Sequence, residues 1–322
     1  MKHWHYILLF FPLIFCFCSK TQENSIKIIR FDKELKHTID NYSDSALINF
    51  ENDFSNIFLL YYSGIMNGNV DTIDTKERIK FISSRFNNNF KILYDDVESE
   101  FISMEKEEKI LNNSIKRYIE LFPNSYIPTI YTHVSPFGYS IVTTDSIISV
   151  SLDNYMGSNY DGYKGVFYKY QLAKRERERI APDIFKGWLY TRYNNWSKSL
   201  VEGMIYEGAI VYAIEYIIDD YKYWEIIGYD TEKQKWCNDN EKEIWNAIIR
   251  LNHLYSNDNI IYTKYMNEAP FCAALSKETP AEIGKWMGYK IVSKYINDNG
   301  INKLEDILKG DVNIVEILKI YN

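Results

Sequence analysis

The chain has 322 residues and a formal charge of −7 at pH 7, which argues against nucleic acid as a partner, because phosphate binding needs a basic surface. Its 28 Tyr and 17 Phe beside only 14 Gly and 7 Pro mark an ordered chain, and its 4 Cys are too few for a disulfide scaffold at this length. Much of the Asn and Ile richness is what AT-rich coding produces, so aromatic content alone does not indicate a carbohydrate site.

The opening segment, MKHWHYILLFFPLIFCFCSK, carries Lys2 and then an apolar run from Tyr6 to Phe17. About a dozen apolar residues fall short of the ~30 Å of hydrocarbon that a membrane helix must cross, and match the core of an export signal instead. A cysteine closing that core predicts a bacterial lipoprotein. Cys18 is the expected lipidation site, because Ser19-Lys20 gives the polar start of a mature chain. Cys16, behind Leu13-Ile14-Phe15, is the alternative, and neither has the usual small residue before it. A simple secretory signal or an uncleaved anchor are the competing accounts. Acyl chains, at ~0.8 kcal/mol per buried methylene, would hold a soluble body on a membrane. The expected location is therefore the cell envelope, on the inner or outer membrane and facing the periplasm, with membrane lipid as the first partner.

Residues 19–25 read as a polar tether, and 26–322 as a single α+β domain. Residues 26–31 alternate as an opening strand. Amphipathic helices follow over 43–66, with Leu47, Phe50, Phe54, Ile57 and Tyr61 on one stripe, over 75–87 and over 91–122. Tyr126–Val134, Tyr139–Thr144 and Ile147–Leu152 read as three short strands, whose close spacing predicts a small antiparallel meander. Helices are expected over 167–180, 183–195, 199–218, 231–254 and 280–297, then near 303–309 and 312–320. Thr279 as cap, Pro280 at the first helical position and Glu282 three residues after the cap mark the start of the 280–297 helix.

Chemistry is sparse. Of 5 His, His3 and His5 lie in the signal, and His37, His133 and His253 stand far apart. No HExxH places two imidazoles one turn apart around a glutamate. There is also no G-x-S-x-G elbow, Walker loop or G-x-G-x-x-G fingerprint. Cys237 and Cys272 would either pair or stay as buried thiols. One carboxylate is conspicuous: Glu207 falls within the apolar run SLVEGMIYEGAIVYAIEYII, where burial is costly without a partner. It marks either the edge of the stripe or a pocket. The run RERER at 175–179 reads as a solvated, charged helix face.

Several segments together resemble the gliding motility lipoprotein GldB family of Bacteroidetes. They are IIRFDKEL at 28–35, IPTIYTHVSPFG at 127–138, SLDNYMG at 151–157, MIYEGAIVYAIE at 204–215, IGYDTEKQKWCNDNEKEIW at 227–245 and APFCAALSKETPAEIGKWMGYKIVSKYI at 269–296. That family looks like a distant relative of predicted zinc peptidases, in which an HExxH helix precedes a helix with an E-G dipeptide and a later Gly-Trp/Tyr helix. Glu207-Gly208 and Ile283–Tyr289 match the last two. The metal-binding helix would then fall near 168–180, where Arg175, Glu176 and Arg179 stand and no histidine does. The resemblance implies a zincin-like, mostly helical α+β fold whose vestigial metal positions are Arg175, Glu176, Arg179 and Glu207, with Arg175 or Arg179 neutralising Glu207. It implies no cofactor, no catalysis, and envelope partners from the gliding or secretion machinery. The binding groove would be lined by Glu207, Trp236, Asn240, Glu241, Trp286 and Tyr289. The alternatives are a zinc hydrolase with atypical ligands and a surface glycan-binding lipoprotein.

Overall fold

The computed structural model describes residues 25–69, 71, 74–86 and 88–321. The expected signal, Cys16, Cys18 and the tether as far as residue 24 lie outside the described residues. Chain order gives β1 (Ile28–Ile29), α1 (Phe31–Asp40), α2 (Asp44–Leu59), α3 (Thr75–Arg85), α4 (Asn88–Glu100), α5 (Glu105–Leu121), β2 (Thr129–His133), β3 (Ile141–Thr143) and β4 (Ile147–Ser151). After these come α6 (Lys169–Leu172), α7 (Ile180–Arg192), α8 (Leu200–Ile217), α9 (Tyr223–Ile227), α10 (Thr231–Asp239) and α11 (Glu241–Arg250). The last are α12 (Asn259–Met266), α13 (Ile283–Asn299), α14 (Lys303–Lys309) and α15 (Ile314–Tyr321). The fold is mostly helical with one small open sheet. No helix among the described residues is long and apolar enough to cross a membrane.

α8 is the centre. Glu202 accepts from the backbone N–H of Ser199 at 2.9 Å, closing the first turn. Beyond it, Glu207 and Glu215 apart, the helix is apolar or aromatic, as a helix surrounded by protein must be. It packs against α5, α7, α9, α12, α13 and α14, most extensively against α13. The α8–α13 contact is made backbone to backbone. Gly288 of α13 faces the Met204 backbone and Gly208 of α8, while Gly284, one turn earlier, is closed in mainly by Met266 and Tyr265 of α12. A Cβ on Gly288 would fall on the Met204 carbonyl, and one on Gly208 would fall on the Gly288 peptide.

The sheet corrects the expected antiparallel meander. Its order is β1-β2-β4-β3, with β1 and β4 parallel to β2 and only β3–β4 antiparallel. Strands lie ~4.8 Å apart, and a seven-residue connection reaches ~20 Å, so close spacing in sequence does not force adjacent pairing. The chain leaves β2 at His133, skips one strand position to the edge as β3, and returns between them as β4. Asp153 fixes that crossing. This fully buried carboxylate accepts from the N–H groups of Ser135 and Phe137 and from Ser151 Oγ.

The 91–122, 231–254 and 280–297 helices differ from their expected extents. The 91–122 helix is broken between α4 and α5, because arginines from distant segments take the freed carbonyls: Arg30 donates to Phe101, and Arg177 donates to Glu100 at 3.3 Å and Ser103 at 2.6 Å. The 231–254 helix breaks at Asn240. The 280–297 helix begins only at Ile283, after Glu282, which takes the left-handed conformation with φ 60°. The 43–66 helix is present, its last turn widened to a π-helix over Leu60–Ile65. Cys237 and Cys272 are both buried free thiols.

Among the described residues His133 is the one buried imidazole. Its Nδ1 lies 2.7 Å from Ser149 Oγ, its Nε2 has no partner, and burial pulls its pKa from 6.5 to about 3, slightly opposed by Asp32. The native ring stays neutral while the unfolded one takes a proton below pH 6.5, so folding stability is expected to fall as pH drops from 6.5 toward 3. The slope from this group is at most about 1.4 kcal/mol per pH unit. Urea midpoints at pH 7, 5 and 4 check it, and His133→Asn should flatten the difference. Gly288→Ala is expected to destabilise the fold by about 3 kcal/mol in urea denaturation, because the obstacle is backbone and has no rotamer to yield.

Candidate functional site

A cavity of about 600 Å³ opens where β3, the 174–179 segment and α7 meet the end of α12 and the start of α13. α7 supplies one wall by helical spacing alone: Asp183, Lys186, Gly187 and Tyr190 share a face, while Ile184, Phe185, Trp188 and Leu189 are buried on the other. Gly187 lets α7 lie close on the sheet, since a Cβ there would sit 2.8 Å from Ile141 Cγ2.

Charge dominates the lining. Five cations (Lys174, Arg175, Arg179, Lys186 and Lys285) face three carboxylates (Asp183, Glu268 and Glu282). Lys174, Lys285, Glu268 and Glu282 form, together with Glu207, an alternating ladder. The Tyr190 hydroxyl shares its one proton with the Glu207 carboxylate, whose oxygens lie 2.9 and 2.7 Å away, and Glu207 lies 3.9 Å from Lys285 Nζ. Lys285 Nζ is 2.8 Å from Glu282, Glu282 also takes Lys174, and Lys174 reaches Glu268 at 3.6 Å. Burial opposes the charge on Glu282, yet Lys285 and Lys174 outweigh it and hold the carboxyl down at about 2. Burial likewise opposes Lys285, and Glu282 with Glu207 overcomes it, raising the amine to about 12. The left-handed backbone of Glu282 costs about 1 kcal/mol, a strain these two lysine contacts offset.

Lys186 stands apart from the ladder. Its ammonium lies 5.6 Å from the Tyr190 ring centroid and pairs with no carboxylate among the described residues. Burial, and then Lys285, push it down to about 8 against the pull of Glu207 and Asp183.

The expected vestigial positions are arranged differently from their reading in sequence. Residues 167–180 are the single turn α6, a loop and a 3-10 turn over Arg177–Arg179, so RERER is neither a helix nor a solvated face. Arg175 Nη1 donates to Asn154 Oδ1 at 2.6 Å and Ser140 Oγ at 3.1 Å. Arg177 pairs with the buried Glu107 at 2.8 Å, and Arg179 donates to the carbonyls of Glu225 and Ile226 and to Asp183. Glu176 accepts from the Ser158 N–H at 3.0 Å. Neither arginine pairs with Glu207, whose partners Tyr190 and Lys285 arrive from α7 and α13.

The six residues expected to line a groove do not converge on this cavity. Trp286 is fully buried, with Nε1 donating to Gln234 Oε1 at 3.0 Å. Tyr289 stacks on Tyr223, ring centroids 3.8 Å apart, and donates to Glu215. Asn240 returns its amide to the Trp236 carbonyl at 2.8 Å, and Glu241 pairs with Lys290 at 3.1 Å and accepts from Tyr321 at 2.7 Å. Glu207 alone belongs to the ladder. Reading the sequence missed Lys174, Asp183, Lys186, Tyr190, Glu268, Glu282 and Lys285. The polar stripe of α7 was the available signal.

The histidines stay apart: His37 is exposed, His133 is in the sheet, and His253 Nδ1 lies 2.9 Å from the Tyr265 hydroxyl. Among the described residues no three His, Cys, Asp or Glu side chains are grouped to hold a metal ion. Against protein families, residues 18–320 match the family described as Gliding motility protein GldB. The chain belongs to that family. Comparison with curated proteins and with solved structures gives no match. In this GldB-family chain the Glu-Gly dipeptide of α8 thus serves packing and charge together: Gly208 admits α13, and Glu207 meets the lysine that α13 brings.

Lys285→Met is expected to destabilise the protein by about 3 kcal/mol near neutral pH, because it strands buried Glu282 with one lysine and Glu207 with none. Glu282 has a depressed pKa, so this deficit is full above pH 4.5 and shrinks as the pH falls toward 2. Denaturation of both proteins at pH 7 and 3.5 measures it.

Proposed function

We propose that this chain is a non-catalytic lipoprotein of the gliding or secretion machinery, held on a membrane by an acylated Cys18 and acting by binding a partner protein of the envelope. The observation that carries this reading is the family match across 18–320, which starts at Cys18 itself and so favours it over Cys16. The short apolar run before it supports export, and the body from residue 26 onward would work as one unit facing the periplasm. We read α7 and α8 as the remnant of a zincin-like centre, which would make the chain a pseudoenzyme. What supports this is Glu207 facing the helix before it, although that helix is α7 and not 168–180. In place of imidazoles the carboxylate meets a tyrosine hydroxyl and a lysine. An alternating ladder of buried charges holds side chains in place, which suits a surface that recognises a partner.

The test is genetic and biochemical. A strain lacking the gene is expected to lose gliding or the linked secretion, and wild-type protein to restore it. Cys18→Ser is expected to move the protein out of the membrane fraction and to fail in complementation. A deletion with no effect on gliding, secretion or envelope integrity overturns the reading.

A further inference from the structure

We infer that the cavity between β3, α7 and α13 binds a dianionic phosphoryl group, with Lys186 and Arg175 as the cations that receive it. The charge count is the starting point. In a chain of formal charge −7, the cavity wall carries five cations and three carboxylates. Each wall carboxylate already has a cation: Glu282 has Lys174 and Lys285, Glu268 has Lys174, and Asp183 has Arg179. Glu207 adds a further negative charge from behind Tyr190, and its contacts are that hydroxyl and Lys285.

Two cations are left over. Lys186 lies over an aromatic face and makes no ion pair among the described residues, Glu207 and Asp183 acting on it only from a distance, and Arg175 has neutral partners, Ser140, Asn154 and the Phe167 ring, while its Nε is buried without a hydrogen bond. Holding uncompensated charge in a wall that partly excludes water is costly unless something supplies the counter-charge. Their origin on two different elements suits a tetrahedral group, whose oxygens accept from several directions, better than the plane of one carboxylate. Ser140 Oγ, which accepts from Arg175, keeps its own proton to donate. A phosphate monoester carries close to two charges at pH 7. The lining residues are mostly charged or polar, with Ile141, Gly187, Met266 and the rings of Tyr155 and Tyr190 between them, so the wall offers apolar as well as polar surface to the rest of the ligand. A bound dianion would also favour the charged form of Lys186, which burial disfavours in its absence. This inference does not depend on the lipoprotein reading, since it concerns a site the isolated protein carries.

Isothermal titration of the full-length protein in detergent, at low salt to limit screening, tests it with sodium phosphate, glycerol 3-phosphate and succinate. Saturable binding of a phosphoryl ligand with Kd below about 1 mM is expected. Tighter binding of glycerol 3-phosphate would identify a phosphate ester as the natural source, and tighter binding of phosphate the free ion. Lys186→Met should weaken binding by at least about tenfold, while Lys186→Arg should stay near wild type. Because a variant can lose binding by unfolding, thermal melting is read in parallel. Phosphate should raise the Tm of wild type and of Lys186→Arg, and leave Lys186→Met, melting cooperatively, unmoved. Absence of saturable phosphoryl binding to wild type, wild-type affinity in Lys186→Met, or succinate binding as tightly as phosphate overturns the inference.

Discussion

Everything in this protein is hung on the place where α8 and α13 touch through their backbones. Two helices approach this closely only when neither presents a side chain at the crossing, and Gly208 and Gly288 supply that surface. The consequence is geometric before it is energetic. With the crossing point set by glycine, the residues flanking it have fixed partners: Glu207, next to Gly208, meets Lys285, one turn before Gly288. A bulkier crossing would move the axes apart and separate the two charges. The same closeness places the start of α13, and with it Glu282, against the cavity.

The charge ladder is the second organising element, and it is built by long-range contacts. Glu207 comes from α8, Lys285 and Glu282 from the beginning of α13, Lys174 from the loop after α6, and Glu268 from the end of α12. Each link is a buried or half-buried pair that would be expensive to leave single. Pairing of this kind adds less to net stability than apolar packing of equal volume would. Its effect is to fix four segments in one arrangement and to leave Lys186 and Arg175 beside the ladder without a carboxylate. A buried carboxylate at Asp153 does the same for the sheet, tying the β2–β3 connection to the end of β4.

For a GldB-family protein this arrangement shifts attention from the aromatic residues of α10, α11 and α13 to the polar face of α7. Trp286 and Tyr289 are the more visible residues in sequence, yet one is fully buried and the other is stacked on Tyr223. They make the packing that holds α9 and α10 onto the α8–α13 pair. The side chains that remain available to a ligand are the charged ones facing the cavity.

The sequence by itself determined the elements whose cause is local. The expectation of an export signal rests on a run of apolar residues, and the family relationship is readable from spaced segments matched over 18–320. Helices α2, α3 and α8 follow from stripes or runs of buried apolar residues and from caps such as Ser43, whose Oγ accepts from Ala46 at 3.2 Å. Glu207 was legible as an oddity because a lone carboxylate in an apolar helix demands a partner. What the tertiary structure alone decided was every feature whose cause lies far along the chain. The break between α4 and α5 is held by Arg30 and Arg177, the parallel pairing of β2 with β4 by the crossing at Asp153, and the turn at Glu282 before α13 by Lys174 from the loop after α6. The partners of Glu207 belong to this class too: periodicity shows that a charge is out of place on its own helix, and only the approach of other helices decides what neutralises it.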